Sequence, residues 1–387
     1  MKTTIEKTTA GWRLMRGRMP YLIRGAGGAN SLEQLATLGG NSIRTWGADD
    51  VGGMLDKCQR LGLTATVGIW LGHKEHGFRY ADSKAVTGQF DAICGHVSRY
   101  KDHPALLCWA LGNEMEVGLD DTEAELMWKS VEAAAQYVHK TDPDHPVMTV
   151  VAEISDKKLA QIQKFAPSVD ILGINAYGGA ASLPERLKKA GWTKPYVITE
   201  FGPLGPWEVG KTEWGAPREE TSTQKAKRYA ETYAKAVVGR PSCLGSYVFL
   251  WGDKLEGTPT WFGMFLPKTG EKLAMVDALS RAWTGKPVAK PCPELISLTS
   301  AADGKTIAPG STLSATLTLR ASGSVRVRWE LRLENNTWLT EFPGEPGKPF
   351  TLSAPTQPGA YRLFVYARDS HGGAATANFP FQVKKEN

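Results

Sequence analysis

"LLCWALGNE" (residues 106–114) is an apolar run that ends abruptly in an amide and a carboxylate, Asn113 and Glu114. Its apolar part has the character of a β-strand buried on both faces, as in a parallel sheet covered by helices. A carboxylate is costly to bury without compensation. A glutamate at the end of such a strand therefore indicates a place where its charge or its proton is used.

Seven other short apolar runs share this character. They alternate with segments that carry helix signals, such as "SLEQLATLGG" (31–40), which opens on a serine and closes on glycine. Eight strands within residues 21–285, each followed by a helix, predict the α/β class and a (β/α)8 TIM barrel. The seven runs are "YLIRGAGG" (21–28), "NSIRTW" (41–46), "LTATVGIWLG" (63–72), "VMTVVAEI" (147–154), "VDILGINAY" (169–177), "YVITEFG" (196–202) and "LGSYVFLW" (244–251).

A doubly wound open sheet is the alternative fold. Such a sheet usually carries a glycine-rich turn that binds phosphate after its first strand. "GAGGAN" (25–30) is rich in glycine but lacks the G-x-G-x-x-G spacing. The sequence therefore favours the barrel.

The flanking segments differ from the barrel. Residues 1–20 contain "RGR" (16–18), a predicted turn in a hairpin that closes the barrel floor, and residues 286–293 are rich in proline and lysine, as in a linker. In residues 294–387 the apolar residues alternate with a period of two. This part predicts a small all-β, immunoglobulin-like sandwich with an accessory role and with Trp329 in its core.

Composition excludes several classes of protein. The net charge of +6 is not gathered into a basic tail or stripe, so we expect no nucleic-acid partner. The five cysteines have neither disulfide-framework nor zinc-site spacing. No segment reaches the roughly 18 apolar residues of a membrane span, so no membrane partner is expected. The N-terminus of this chain has no apolar signal region. We expect a secreted or periplasmic protein whose signal peptide is not present in this chain, with a cytoplasmic location as the alternative.

Two of the predicted barrel strands end in glutamate, namely Glu114 and Glu200. Active sites of (β/α)8 barrels lie at the carboxyl ends of the strands. Two carboxylates facing each other there suit glycoside cleavage, in which one is protonated and the other ionised. Each could instead pair with a cation or cap a helix. Glu153, after the fifth strand, is a competing carboxylate if the strand count is wrong.

"YKDHPALLCWALGNE" (100–114) and "PYVITEFG" (195–202) resemble the strand-four and strand-seven motifs of clan A retaining glycoside hydrolases. The likeness is strongest to the barrel of glycoside hydrolase family 2 and to related families that act on β-glucans. It implies that Glu114 is the acid/base and Glu200 the nucleophile.

Four further roles are implied by the same resemblance. Arg44 would hold the nucleophile, Asn113 the sugar 2-hydroxyl, Tyr177 would donate to the nucleophile, and Trp251 would form the floor beneath the sugar. Packing, a turn amide or an ordinary rim ion pair could explain each of them. Asn175 is either a site lining or a buried structural amide.

Aromatic and imidazole side chains also fall at predicted strand ends and in loops. Sugars stack their C–H faces on aromatic rings, so Trp46, Trp70 and Trp207 are candidate sugar contacts, with core packing as the alternative. His73 is a candidate hydrogen-bond donor to sugar, although an exposed histidine pair with His76 is equally compatible. Loop residues with weaker claims are Trp214, Trp261, Glu208 and Glu213.

The sequence thus predicts a retaining β-glycoside hydrolase acting by double displacement, without metal or cofactor, on a β-linked oligosaccharide or polysaccharide. β-Glucan is the favoured substrate because of the loop tryptophans, and the short segment before the barrel disfavours a β-galactosidase or β-glucuronidase. A transglycosylase on the same scaffold is the nearest alternative. A non-catalytic carbohydrate-binding protein is the alternative from another class. The oligomeric state is not predicted.

Overall fold

The structure is a computed structural model that describes residues 1–385. The chain forms two compact units. One contains Met1–Phe201 and Thr232–Trp251, and the other contains Gly202–Glu231 and the chain from Gly252 onward. The domain limits expected from the sequence stay predictions.

The first unit begins with a small antiparallel sheet. Its strands are β1 (Thr3–Thr8), β2 (Gly11–Arg16) and β3 (Met19–Pro20). β2 and β3 flank the predicted turn, whereas β1 is an additional strand that pairs with β2. Leu14 of this sheet belongs to the same apolar cluster as Ile23 and Leu107 of the barrel. Arg16 donates to the carbonyl of Leu106, the first residue of its strand, so the sheet lies where barrel strands begin.

Eight parallel strands close the barrel, and β9 (Ile171–Asn175) pairs with β10 (Tyr196–Phe201) to complete it. Nearly all of their residues are buried, because helices cover one face and the barrel interior covers the other. The predicted TIM barrel is confirmed. The strands are β4 (Ile23–Gly27), β5 (Ser42–Arg44), β6 (Thr64–Ile69), β7 (Leu106–Leu111), β8 (Val147–Ala152), β9 (Ile171–Asn175), β10 (Tyr196–Phe201) and β11 (Cys243–Val248).

Helices follow the strands, and some begin at a side-chain cap, as at Asp82, Asp120 and Ser155, whereas Ser31 makes no cap hydrogen bond. The longest one opens on a capping box, in which Asp120 accepts from the backbone of Glu123 and the Glu123 carboxylate accepts from the backbone of Asp120. The helices are α1 (Leu32–Thr37), α2 (Gly52–Arg60), α3 (Ser83–Tyr100), α4 (Asp121–Thr141), α5 (Asp156–Phe165), α6 (Leu183–Lys189), α7 (Ser222–Ala236) and α8 (Ala274–Thr284). Among the described residues, no helix is both long and apolar enough to cross a membrane.

The second unit contains the predicted all-β part. β20 lies beside β12 and β19 in the larger sheet, and the smaller sheet has the order β13-β15-β18. Both sheets contribute to one apolar core, in which Trp329 is 1% exposed and stacks on Phe350 at 4.7 Å. The strands are β12 (Lys272–Leu273), β13 (Glu294–Thr299), β14 (Thr306–Ile307), β15 (Thr312–Arg320), β16 (Val325–Leu333), β17 (Trp338–Gly344), β18 (Phe350–Ser353), β19 (Gly359–Asp369) and β20 (Gly373–Val383).

Candidate active site

Glu200 and Glu114 lie at the carboxyl ends of two barrel strands. Glu200 is within β10, and Glu114 follows β7 by three residues. Gly112 and Glu114 both have left-handed backbones, with φ of 72° and 57°. A Cβ at residue 112 would meet the Met115 sulfur at 1.7 Å, so only glycine fits there. The chain therefore turns sharply out of the strand, and the backbone N–H of Glu114 is held by the carbonyl of Val150 at 2.9 Å.

Three side chains donate hydrogen bonds to the Glu200 carboxylate. Arg44 Nη1 lies 2.9 Å and Trp46 Nε1 2.8 Å from Oε1, while the Tyr177 hydroxyl lies 2.9 Å from Oε2. Glu200 is only 6% exposed. Its buried charge is thus compensated by a cation and two neutral donors that also fix the orientation of both oxygens.

Arg44 links the two predicted catalytic strands. The residue is 1% exposed, and its Nη2 donates to Asn113 Oδ1 at 2.6 Å in addition to the ion pair with Glu200. The guanidinium carbon also lies 5.2 Å from the centre of the Trp46 ring. One buried cation therefore positions Glu200 directly and the segment that carries Glu114 through Asn113.

Asn175 forms hydrogen bonds with residues of both predicted catalytic strands. Its Nδ2 donates to Glu114 Oε1 at 2.6 Å and to Asn113 Oδ1 at 3.0 Å, and its Oδ1 accepts from Thr199 Oγ1 at 2.8 Å. The amide of Asn113 thus has its oxygen toward two donors, which leaves its Nδ2 as the atom that can donate elsewhere. The arrangement brings together six residues predicted from the sequence, namely Arg44, Asn113, Glu114, Asn175, Tyr177 and Glu200.

The pKa of Glu114 is raised from its usual 4.5 to about 7. Burial is the largest cause, and the negative charge of Glu200 is the second; the hydrogen bond from Asn175 acts in the opposite direction. Glu114 therefore keeps its proton to a higher pH than an ordinary glutamate does. A proton donor and a charged carboxylate stand together in one site.

Two residues in this site were missed by the sequence analysis. Glu116, whose side chain is 6% exposed, accepts from Lys158 Nζ at 2.6 Å and from the backbone of Ala152 at 2.9 Å. Its charge contributes to the raised pKa of Glu114. Phe249 lies edge-on to the rings of both Trp46 and Tyr177, with centroids 5.9 Å and 6.1 Å away. Glu116 in "GNEMEVG" (112–118) resembles an ordinary turn charge, whereas Phe249 falls in the predicted eighth strand.

Trp70 and His73 lie after β6. Trp70 is 45% exposed, and His73 is 7% exposed and stacks on it with 4.6 Å between ring centroids. Burial lowers the pKa of the His73 imidazole below its ordinary value. The expected exposed pair with His76 is therefore half right, since His76 is exposed and His73 is not.

Other predicted residues make contacts with residues outside this network. Trp251 is fully buried, and its indole donates to the Ser31 carbonyl at 3.4 Å, so the contact with sugar stays a prediction. Trp207, in the second unit, is 59% exposed and lies 6.3 Å from Phe262. Glu153 forms an ion pair with Arg186 at 2.9 Å. Because the strand count is as predicted, Glu153 does not replace either glutamate.

The weaker candidates also belong to the second unit. Trp261 is 1% exposed and donates to the Leu204 carbonyl at 2.8 Å, and Trp214 is partly buried. Glu213 is exposed, and Glu208 accepts from the backbone of Gly205 at 2.8 Å. Within residues 1–385 no cluster of three His, Cys, Asp or Glu side chains is arranged to hold a metal ion.

Known proteins share this barrel. Residues 35–213 match the family model described as glycosyl hydrolases family 2, TIM barrel domain. None of the curated proteins matches the chain. The solved structure of Bacteroides uniformis β-glucuronidase 2, covalently bound to cyclophellitol-6-carboxylate aziridine, is 14% identical with a TM-score of 0.56 and covers 99% of this chain and 48% of its own.

Two further solved structures are similar. Bifidobacterium dentium β-glucuronidase, complexed with coumarin-3-O-glucuronide, is 19% identical over 74% of this chain and 50% of its own, with a TM-score of 0.57. Faecalibacterium prausnitzii β-glucuronidase is also 19% identical over 74% of this chain and 52% of its own, with a TM-score of 0.56. The chain spans about half the length of these proteins, and the likeness concerns the fold. The family match and the eight closed strands show that the barrel of this chain is similar to the TIM barrel domain of the glycosyl hydrolases family 2.

Proposed function

We propose that this chain is a retaining β-glycoside hydrolase in which Glu200 is the nucleophile and Glu114 the acid/base. The observation that carries the proposal is the contrast between the two carboxylates. Glu200 receives three donors, one of them a buried guanidinium, whereas burial and the charge of Glu200 raise the pKa of Glu114 to about 7. A carboxylate and a carboxylic acid at one barrel mouth are what glycoside cleavage needs.

The reaction would proceed in two displacements. In the first, a Glu200 oxygen attacks the anomeric carbon, the glycosidic C–O bond breaks, and the leaving oxygen takes the proton of Glu114. In the second, water attacks the same carbon, gives its proton to Glu114 and releases Glu200. Once Glu200 is esterified it carries no charge. One cause of the raised pKa of Glu114 then disappears, which favours its change from acid to base.

The residues around the two glutamates have different roles in this reaction. Arg44, Trp46 and Tyr177 hold the attacking carboxylate in a single orientation. Asn113, whose oxygen is occupied by Arg44 and Asn175, presents its Nδ2 to the sugar 2-hydroxyl. His73 and Trp207 remain candidate sugar contacts. No step of the reaction requires a metal or an organic cofactor.

We propose a β-linked oligosaccharide or polysaccharide as substrate, with β-glucan as the first choice because exposed tryptophans suit a chain of sugars. A transglycosylase differs only in the second step, where a sugar hydroxyl replaces water. The substrate screen should therefore include β-glucans, β-galactans, β-mannans and β-glucuronides, and it should record product lengths. Products longer than the substrate would favour the transferase.

The catalytic assignment is tested with azide. Glu200→Ala should lose turnover by at least about 10⁴-fold, and azide should restore it by forming an α-glycosyl azide. Glu114→Ala should instead give a β-glycosyl azide, since azide then attacks the glycosyl-enzyme. Glu153→Gln, a change at a neighbouring strand end, is the matched control and should stay active. If Glu200→Ala keeps wild-type turnover, or if the wild-type protein only binds sugars, the proposal is wrong.

A further inference from the structure

Trp70 differs from the other aromatic residues that follow barrel strands. Trp46 and Tyr177 are partly buried and donate hydrogen bonds to Glu200, and Trp251 is fully buried. Trp70 follows β6 directly, yet 45% of its surface is exposed. An exposed indole at the end of a barrel strand is available for a sugar to stack on.

Two imidazoles lie on one side of the Trp70 ring, and the side opposite them is called its open face. His73 stacks on the indole at 4.6 Å with an interplanar angle of 15°, and the His76 centroid lies 6.4 Å away. The two imidazole centroids are only 5.5 Å apart, so both lie on the same side of the indole. The histidines thus lie against one face, and 45% of the residue's surface is exposed. His73, itself buried, supports the ring from behind.

The ring lies beside the strand end that carries Glu114. Ile69, the last residue of β6, pairs with Leu111, and its carbonyl accepts from the N–H of Gly112 at 2.9 Å. Around the closed barrel, β6 is separated from β10 by three strands on either side. Trp70 thus follows the strand beside β7, which leads to the proposed acid, and β6 lies diametrically across the barrel from the strand that bears Glu200.

This position matches the direction in which a leaving group departs. In a displacement at the anomeric carbon, the leaving oxygen lies opposite the attacking Glu200 oxygen, and it must also reach the proton of Glu114. Both conditions direct the leaving group toward the ends of β6 and β7. We propose that the open face of Trp70 is the stacking platform for the leaving-group sugar. This inference rests on the proposed function and deepens it.

A sugar fits this platform better than a small alcohol does. A pyranose offers a flat array of C–H bonds to an aromatic face, whereas a methyl group covers little of it. Burial lowers the pKa of His73, so the supporting imidazole is uncharged at neutral pH and adds no charge beneath the ring. A sugar acceptor in the second step would use the same face. The platform therefore commits the site to substrates with at least two linked sugars.

The test compares two substrates that differ only in the leaving group. One is a β-linked disaccharide found active in the screen, and the other is the methyl β-glycoside of its non-reducing sugar. Both leaving groups are alkoxides that need the same protonation. Trp70→Ala should lower kcat/KM for the disaccharide by about tenfold or more and change it less than about threefold for the methyl glycoside. Trp70→Phe should retain most of the wild-type selectivity for the disaccharide.

A control variant and two contrary results distinguish the platform from the proposed function. Trp338, which is 52% exposed on β17, is a matched tryptophan, and Trp338→Ala should leave both substrates unaffected. Equal losses on the two substrates for Trp70→Ala, or no loss on the disaccharide, overturn the platform while leaving the proposed function intact. A wild-type protein that cleaves no β-linked substrate in the screen contradicts the proposed function itself, and the platform with it.

Discussion

Asn175 donates a 2.6 Å hydrogen bond from Nδ2 to Oε1 of Glu114. The bond favours the charged form of Glu114, against burial and the charge of Glu200, which favour the protonated form. Asn175 is itself fixed by Thr199, whose hydroxyl donates to its Oδ1 at 2.8 Å. The proton affinity of the proposed acid is thus a balance among residues at the ends of β7, β9 and β10.

Asn175→Ala should move the alkaline limb of the pH profile to higher pH. Glu114 must be protonated for the first step, so kcat/KM falls as the pH rises through its pKa, which is about 7. Removing the amide removes an interaction that lowers this pKa. Activity at the optimum should also drop, by roughly tenfold, because a bond to a charged group is lost. The measurement is kcat/KM between pH 5 and 9.

The change to aspartate gives a second test of Asn175. A carboxylate at this position would add a negative charge beside Glu114, so Asn175→Asp should move the alkaline limb upward as well. A limb that stays in place, or that moves to lower pH in the alanine variant, would contradict the role given to this hydrogen bond.

Glu116→Gln should have the opposite effect on the same limb. The negative charge of Glu116 raises the pKa of Glu114, and glutamine removes that charge at nearly constant volume. Activity should therefore begin to fall at lower pH than in the wild-type protein. Lys158 keeps the Glu153 carbonyl as an acceptor at 2.9 Å, so the buried ammonium is not left without a partner.

The matched control for this change is Glu125→Gln. Glu125 lies in α4, where it pairs with Lys129 at 2.6 Å on an exposed surface. It should leave the pH profile unchanged. An equal shift in both variants would mean that the net charge of the protein, rather than Glu116, sets the position of the limb.

Trp46→Phe should slow catalysis although an aromatic ring is retained. The indole N–H donates to Glu200 Oε1 at 2.8 Å, and phenylalanine has no such donor. Loss of a hydrogen bond to a charged group costs about 1.5–3 kcal/mol, which corresponds to about 10- to 150-fold in kcat/KM. Tyr177→Phe removes the bond to Oε2 and should have a similar effect.

Trp12→Phe is the control for this substitution. Trp12 lies in β2, and its indole donates to the Thr193 carbonyl at 2.7 Å. The same chemical change there should leave steady-state kinetics unaltered. If Trp46→Phe has wild-type kcat/KM, Trp46 is not a donor to the nucleophile during the reaction.

The sequence predicts which polar residues lie together, because the parallel strands of a barrel all end at the same rim. Arg44, Asn113, Tyr177 and Glu200 come from different strands, yet closure of the barrel brings all of them to one rim. The period of the apolar runs therefore predicts both the fold and the convergence of these side chains.

The apolar pattern does not predict where an individual side chain points, nor which residue a loop side chain pairs with. The sugar contact of Trp46 stays a prediction, whereas the hydrogen bond from its indole to Glu200 was not predicted. Glu116 is bound to Lys158 of α5, and no sequence pattern indicates a pair between a turn and a distant helix. β1 was missed because "TTIEKT" is polar, and it is stabilised as a strand by pairing with β2.

Lys225 and Glu219 form a buried ion pair in the second unit that allows a prediction on stability. Their side chains are 1% and 2% exposed, and Glu219 also accepts from Thr258, Thr260 and Asn378. Lys225→Met leaves the Glu219 carboxylate buried without its cation. Removing one partner of a buried pair costs about 3–5 kcal/mol, so urea denaturation should give a correspondingly lower free energy of unfolding.

The double variant Glu219→Gln with Lys225→Met distinguishes charge from packing. Glutamine can still accept from Thr258 and donate elsewhere, and no uncompensated charge remains, so most of the lost stability should return. Lys227→Met is the surface control. Its ammonium is 79% exposed and lies 3.8 Å from Glu231, and such pairs contribute at most about 1 kcal/mol. If the double variant is no more stable than Lys225→Met alone, the loss comes from the removed lysine contacts, among them the 2.7 Å bond to the Thr260 carbonyl.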